Sequence, residues 1–368
     1  MVKVRDVINE FSSYVPGKSK KVIAEKYGVK EDEIIKLGSN ENPWGSSPKA
    51  KEAIINSIEE MNRYPESNHE YLKELIAEYS GVKQDQVIVT GDGADELLDV
   101  IAKTLINPGD EFIVHPPTYM YYEVTFKQYN AKPVYAKWNV EENKVDIQSV
   151  LDSITDKTKV IFLCTPNNPT GGLISREDML KVIEAAPDAL VVIDEAYWEF
   201  SEVNNIDLLD KYDNILLLRT FSKVLGLAGL RIGYGLSNPE FLEKMNRIKP
   251  VFSVTVPSQK AVEATLKDSK YIKESIEKGI KEREFLYESI NKIDKIKIYP
   301  SKSNYLLMDL HETGFTAAEL SEELLKKGII VRDCTSFYGL DDYYIRASIA
   351  THPENEKFVK ILKEIIEK

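Results

Sequence analysis

Between Gln86 and Gly235 the chain repeats one pattern: a short β-branched or aliphatic run, a turn, then a stretch with helical spacing. QVIVT (86–90) precedes ADELLDVIAKTLI, EFIVHPP (111–117) precedes YMYYEVTFKQYN, and KVIFLCTP (159–166) precedes SREDMLKVIEAA. ALVVIDEAY (189–197) and NILLLRTFSK (214–223) follow, the last running into a glycine-rich stretch. Strands without a polar alternate face have to be covered on both sides, so the pattern predicts an α/β fold with a mostly parallel sheet flanked by helices.

After Pro250 the pattern changes. Residues 258–293 read as one long Lys- and Glu-rich amphipathic helix, KIKIYPS, NYLLMDL and GIIVRDC as strands, and Pro353–Lys368 as a closing helix. These elements suggest a smaller α+β domain. The expected division is an N-terminal arm over 1–38 packing on the small domain, a large ligand-binding domain over 39–250, and the small domain over 251–368. A length of 368 residues suits two domains, and 43% apolar content supplies a large core and excludes global disorder.

Charge and composition narrow the function. A net charge of −12 argues against non-specific binding of nucleic acid or acidic lipid. Cys164 and Cys334 lie far apart with no CxxC, which excludes a disulfide framework or zinc ribbon and fits a reducing compartment. The four histidines lack metal-ligand spacing, so no metal is expected. With no apolar run of membrane-spanning length and no signal-peptide core, a soluble cytoplasmic protein is expected.

In an open α/β sheet, ligands bind at the carboxyl ends of strands. After QVIVT, Gly91-Asp92-Gly93-Ala94-Asp95 opens a helix whose free N–H groups can cup an anion, although Glu96 breaks the dinucleotide fingerprint. KVIFLCTP leads into Asn167-Asn168-Pro169-Thr170-Gly171-Gly172, a turn that could present the Asn168 amide. ALVVIDEAY ends in Asp194, with Tyr197 three residues on; a carboxylate at the floor of an apolar cleft needs a partner, and a protonated heteroaromatic nitrogen is a good one. In NILLLRTFSKVLGLAGLRIG, Lys223 stands where a Schiff-base lysine could, and Thr220, Ser222 and Arg231 suit a phosphate monoester. Each feature alone is an ordinary turn, cap or solvated lysine. Together, on successive strand ends, they describe a site for pyridoxal 5′-phosphate.

These motifs carry a resemblance. YVPGKS (14–19), KLGSNENPWG (36–45), RYPE (63–66), GDGADE (91–96), PPTYMYY (116–122), TPNNPTGG (165–172), VVIDEAYWEFS (191–201), LRTFSKVLGLAGLRIGYG (218–235) and VRDCTSF (331–337) resemble the class I/II group of fold-type I aminotransferases. Within that group the chain is similar, over nearly its full length, to the histidinol-phosphate aminotransferase family. The resemblance implies pyridoxal phosphate held on Lys223, which also moves the proton, with Asp194 on the pyridine nitrogen and Asn168 and Tyr197 on the ring hydroxyl. It implies Tyr119 stacking on the ring. Gly93, Ala94 and Asp95 at the helix start would hold the phosphate, together with Thr220, Ser222 and Arg231. Tyr64 would reach the phosphate from the neighbouring subunit of a homodimer, and Tyr14, Asn42, Arg332 and Arg346 would contact substrate. The implied reaction is ping-pong transfer of an amino group between histidinol phosphate and 2-oxoglutarate. The tail also resembles threonine-phosphate decarboxylase, and an aromatic amino acid aminotransferase is a third reading. Trp44 and Ala350-Thr351-His352 depart from the commoner residues of the group and leave the exact substrate open.

Overall fold

The structure is a computed structural model that describes residues 2–11 and 19–367. Its centre is a seven-stranded sheet in the spatial order Val87–Thr90, Gly233–Ser237, Ile215–Thr220, Leu190–Asp194, Thr158–Cys164, Glu111–Val114, Lys132–Tyr135. Only Gly233–Ser237 runs antiparallel to its neighbours.

Because successive residues of a strand point to opposite faces, each strand feeds two cores. Ile161, Leu163, Val191, Ile193 and Leu217 enter one apolar cluster. Val160, Phe162, Cys164, Val192 and Leu218 enter the other, with Tyr122 and Phe126 from the overlying helix Tyr121–Lys127. Both faces are sealed, as the unbroken Val/Ile/Leu runs require. The parity carries to the strand ends: Asp194 shares a face with Val192, whereas Glu195 faces the opposite way.

A second, four-stranded sheet is built from Lys297–Ile298, Tyr305–Asp309, Tyr344–Ser348 and Arg332–Asp333. Its core draws on Leu286 and Ile290 of helix Ser269–Ile290, Leu320 of Ala317–Lys326 and Phe358 of His352–Ile366. Thr316 with Glu319, and Thr351 with Glu354, close reciprocal capping boxes that start the last two helices.

Three sequence expectations change in detail. The single helix expected over 258–293 is two, Val256–Leu266 and Ser269–Ile290, separated at Asp268. GIIVRDC splits between sheets: Ile329–Ile330 pairs in parallel with Ile35–Lys36, while Arg332–Asp333 joins the four-stranded sheet. In the first 38 residues, helix Lys20–Tyr27 reaches Glu322 of the second body through Tyr27, but Arg5 donates to the Gln128 carbonyl beside the seven-stranded sheet. Among the described residues no helix is long and apolar enough to cross a membrane, and no cluster of His, Cys, Asp or Glu is arranged to hold a metal.

Candidate active site

The carboxyl ends of Val87–Thr90, Thr158–Cys164, Leu190–Asp194 and Ile215–Thr220 converge on a cavity of about 110 Å³ that includes Gly93, Asn168, Asp194, Thr220, Lys223 and Arg231 in its wall. It shares Asp95, Tyr119, Asn168, Tyr197 and Lys223 with an adjoining cleft of about 350 Å³, which Arg332 and Arg346 border from the other sheet. Residues from 93 to 346 are thus brought to one place.

At one end lies the helix Gly93–Leu105, whose first N–H groups have no intrahelical partner. Gly93 has φ +63°, and a Cβ there would lie 3.3 Å from Arg231 Nη2, so the guanidinium closes over the helix start. Arg231 is held by Asp92 (3.0 Å) and Asp95 (3.2 Å). Glu96, the residue that breaks the dinucleotide pattern, accepts the Gly91 and Asp92 N–H groups and fixes the turn. The Thr220 hydroxyl donates to Ser222 Oγ at 3.0 Å, placing two hydroxyls beside the cation.

The floor is Asp194. Burial pushes its carboxyl up to about 6, opposed by hydrogen bonds from the Tyr122 hydroxyl and the Ala196 N–H (2.9 Å). A buried acid so poorly compensated gains from a cationic partner. Tyr119 stands above, its hydroxyl donating to Asp95 Oδ1 at 2.8 Å. Lys223 Nζ lies 5.3 Å from the centre of the Tyr197 ring. These groups fit a planar, phosphate-bearing ligand with a basic ring nitrogen: hydroxyls and a cation at a helix start, an acid at the far end, and an amine at the rim.

Arg332 and Arg346 face each other directly in the antiparallel register, so both side chains leave the same face of the sheet. Arg346 is only 5% exposed; its Nη1 donates to Asn168 Oδ1 (2.5 Å) and Nη2 to the Gly38 carbonyl (2.9 Å), leaving Nε unpartnered. Arg332 is more open, bonded to Ser336 Oγ at 3.2 Å.

Two expected contacts are placed elsewhere. Asn42 does not line the cleft: its amide donates to the Val224 carbonyl (2.8 Å) and to Ser275 Oγ (3.1 Å), so it braces the loop after Lys223. Tyr64 is 82% exposed and stacks on Phe252 at 4.7 Å, outside its own chain's cavity. Tyr14 lies outside the described residues.

The structure adds three residues that sequence reading missed. Asn40, two residues before Asn42, has φ +53° and donates its amide to the Tyr197 hydroxyl at 3.0 Å. Tyr305 donates to the Asn167 carbonyl (2.8 Å), meets the Tyr197 ring edge-on and lies under Arg346. Tyr122 is hidden in the aromatic run YMYY: it lies inside the helix Tyr121–Lys127 whereas Tyr119 precedes that helix, so no helical spacing links the two in the sequence.

Comparison with known proteins agrees with this geometry. The family described as aminotransferase class I and II matches residues 32–362. The histidinol-phosphate aminotransferase of Methanosphaera stadtmanae is 73% identical over 367 residues, covering 100% of both chains. The crystal structure of a histidinol-phosphate aminotransferase from Sinorhizobium meliloti in complex with pyridoxal 5′-phosphate superposes with TM-score 0.89 at 24% identity, covering 100% of this chain and 98% of that one. An L-threonine-O-3-phosphate decarboxylase from Porphyromonas gingivalis reaches 0.80 at 24% identity, covering 91% and 100%, so the fold alone does not separate the two chemistries. With its strand-end lysine and acid in place and the family match spanning most of its length, the chain belongs to the class I and II aminotransferases.

Proposed function

We propose that the chain is a pyridoxal 5′-phosphate-dependent transaminase that interconverts histidinol phosphate plus 2-oxoglutarate with imidazole acetol phosphate plus glutamate. The observation that carries this reading is the convergence of Lys223, Asp194 and the Arg231–Gly93 cup on one cavity that opens under two arginines. The 73% identity along the whole chain supports the choice of substrate.

The N–H groups of Ala94 and Asp95, the hydroxyls of Thr220 and Ser222, and Arg231 would hold the phosphate. Asp194 would hold the ring-nitrogen proton, Asn168 and Tyr197 the ring hydroxyl, and Tyr119 one ring face. When bound, the cofactor supplies an aldehyde that condenses with amines and a charged ring that accepts the electron pair left when the Cα proton departs. Lys223 Nζ, an amine at the cavity wall, would hold the cofactor between turnovers and act as the base that removes and returns the substrate Cα proton. Arg332 and Arg346 hold the anionic end of the substrate, a phosphate in one half-reaction and a carboxylate in the other. The planar guanidinium accepts either. Histidinol phosphate carries no carboxylate at Cα, so loss of carbon dioxide competes with amino transfer only for an amino-acid substrate, and there the anchorage would favour departure of the Cα proton to Lys223 Nζ.

A homodimer belongs to the same reading, with Tyr64 of one copy reaching the phosphate site of the other. Its support is the exposure of Ile55, Ile58, Met61, Tyr64, Val251 and Phe252, and a cavity of about 620 Å³ on the outer side of Asp95 and Arg231. The division into a large domain over 39–250 and a small one over 251–368 is part of the proposal; the two sheets have distinct cores, although helix Val256–Leu266 packs Ala261 and Val262 into that of the seven-stranded sheet.

The test loads the purified protein with the cofactor and mixes it separately with histidinol phosphate, threonine phosphate, tyrosine and glutamate. Histidinol phosphate and glutamate are expected to bleach the visible colour without gas release, and borohydride is expected to fix the cofactor on Lys223. Carbon dioxide from threonine phosphate, or bleaching by tyrosine but not histidinol phosphate, refutes the substrate. A colourless protein with no trapped lysine refutes the chemistry.

A further inference from the structure

Asp194 is the acid the proposed chemistry depends on, yet its place in the wall is set from outside the motifs that identified it. Tyr122 is fully buried beneath the helix Tyr121–Lys127. Its ring lies flat on Phe162 (centroids 4.2 Å apart, 7° between planes) and edge-on to Tyr119 (5.4 Å, 86°). Its hydroxyl donates to Asp194 Oδ2, while the Ala196 N–H takes Oδ1. A tyrosine clamped between two rings has little freedom to turn, so its hydroxyl is a fixed donor.

We infer that Tyr122 is a positioning residue for the reaction: it pins the Asp194 carboxylate in one orientation and holds it ionised. The inference rests on the proposed function, since it concerns the acid that would face the ring nitrogen. The physical reason is competition for one proton. A buried carboxylate and a heteroaromatic nitrogen share a proton in a dry cavity, and burial alone would draw it onto the carboxylate. A hydrogen bond donated to the ionised carboxylate stabilises that form and leaves the proton on the ring, where it makes the ring a better electron sink. The titratable groups near Asp194 besides Tyr122 are Cys164 at the end of the neighbouring strand, Asp95, Tyr119 and Lys223 around the same cavity, and Glu195 next along the chain. Cys164 is buried and its thiol is pushed up to about 12, so it carries no charge in the working range. Glu195 faces away and is bound to Arg219.

The test compares the wild-type protein with Tyr122→Phe and with Phe162→Leu, a change that loosens the same ring without touching the hydroxyl. With the cofactor loaded, absorbance is titrated against pH; without it, thermal unfolding is followed against pH. Loss of the hydroxyl is expected to leave KM within about twofold and to lower kcat about tenfold, the worth of a hydrogen bond to a charged group. The pH midpoint of the colour change is expected to rise by about one unit as charge leaves the ring nitrogen. In the cofactor-free protein, the part of the stability that fades as Asp194 ionises is expected to fade at a higher pH than in the wild type. Phe162→Leu, which keeps the hydroxyl and loosens only its clamp, is expected to lower the melting temperature while moving both pH midpoints by much less than Tyr122→Phe does. Unchanged midpoints in Tyr122→Phe, or equal shifts in the two variants, overturn the inference and leave the proposed function standing. A wild-type protein with no visible colour sinks the proposed function, and the cofactor-free titration still decides the Tyr122–Asp194 contact.

Discussion

Replacing Glu195 by Gln isolates one buried charge. Glu195 is 1% exposed and Arg219 is 0% exposed. The guanidinium meets Glu195 Oε2 through Nε at 2.8 Å and Nη2 at 2.7 Å, and lies 4.1 Å over the Trp198 ring. Gln keeps the volume and removes that negative charge, leaving the buried guanidinium with Asn204 Oδ1 at 2.8 Å, the Trp198 ring and the neighbouring Glu199 carboxyl. Breaking a buried pair from one side costs about 3–5 kcal/mol. At roughly 2.1 cal/mol/K of unfolding entropy per residue, 368 residues give about 0.8 kcal/mol/K, so the melting temperature should fall by about 4–6 °C. Because the pair is dry, the loss should persist between about 0.1 M and 1 M salt. Glu195→Met combined with Arg219→Met should recover most of it, since both charges then leave together. Differential scanning calorimetry reads all three quantities. A loss below about 1 kcal/mol, the worth of an exposed pair, or one that salt abolishes, would show that this ion pair does not hold the strand ends.

Two further outcomes follow from particular contacts. In Gly91→Ala the new Cβ would lie 2.1 Å from the Ser253 carbonyl oxygen, a backbone atom that cannot yield cheaply; stability should fall by about 1–3 kcal/mol and cofactor affinity by at least tenfold, and a fluorescence titration matching wild type would refute it. Burial pushes Glu199 up to about 7, among Arg219, Tyr79, Glu195 and Tyr234. Its proton is therefore held more tightly folded than unfolded, a stabilisation complete below about pH 4 and lost as pH rises through about 7. Glu199→Gln should match wild type in acid and exceed it by up to roughly 3 kcal/mol above pH 8, read as melting temperature against pH; parallel curves would refute it.

Much of the fold was legible because the signals were local. Unbroken Val/Ile/Leu runs ending in Asp194, Thr220 and Asn168 announce strands buried on both faces with polar ends, and the strand ends of an open sheet are where ligands bind. Lys223, Asp194, Arg231 and the Gly93 helix start do share one cavity. NENP presents two asparagines that only geometry separates: Asn40 takes the left-handed turn into the cleft, while Asn42 faces Val224. Tyr305 and Tyr122 escaped because their partners, Asn167 and Asp194, lie 138 and 72 residues away and no spacing encodes them. The break at Asp268 was hidden inside a continuous amphipathic pattern, where Lys and Glu on both sides of it are equally good helix formers.

The alternation at the ends of Leu190–Asp194 and Ile215–Thr220 sets a limit on how this chain can change length. At each strand end, neighbouring residues serve opposite sides: Asp194 and Thr220 look into the cavity, Glu195 and Arg219 into a buried polar cluster with Asn204 and Asn205 behind it. Inserting or deleting a single residue upstream in either strand would swap those assignments, turning the guanidinium toward the ligand in one strand and the ring-facing acid away from it in the other. Surface loops can therefore drift in size among descendants of this sequence, whereas these two segments are held to their count and, at Asp194, Glu195, Arg219 and Thr220, to their side chains as well.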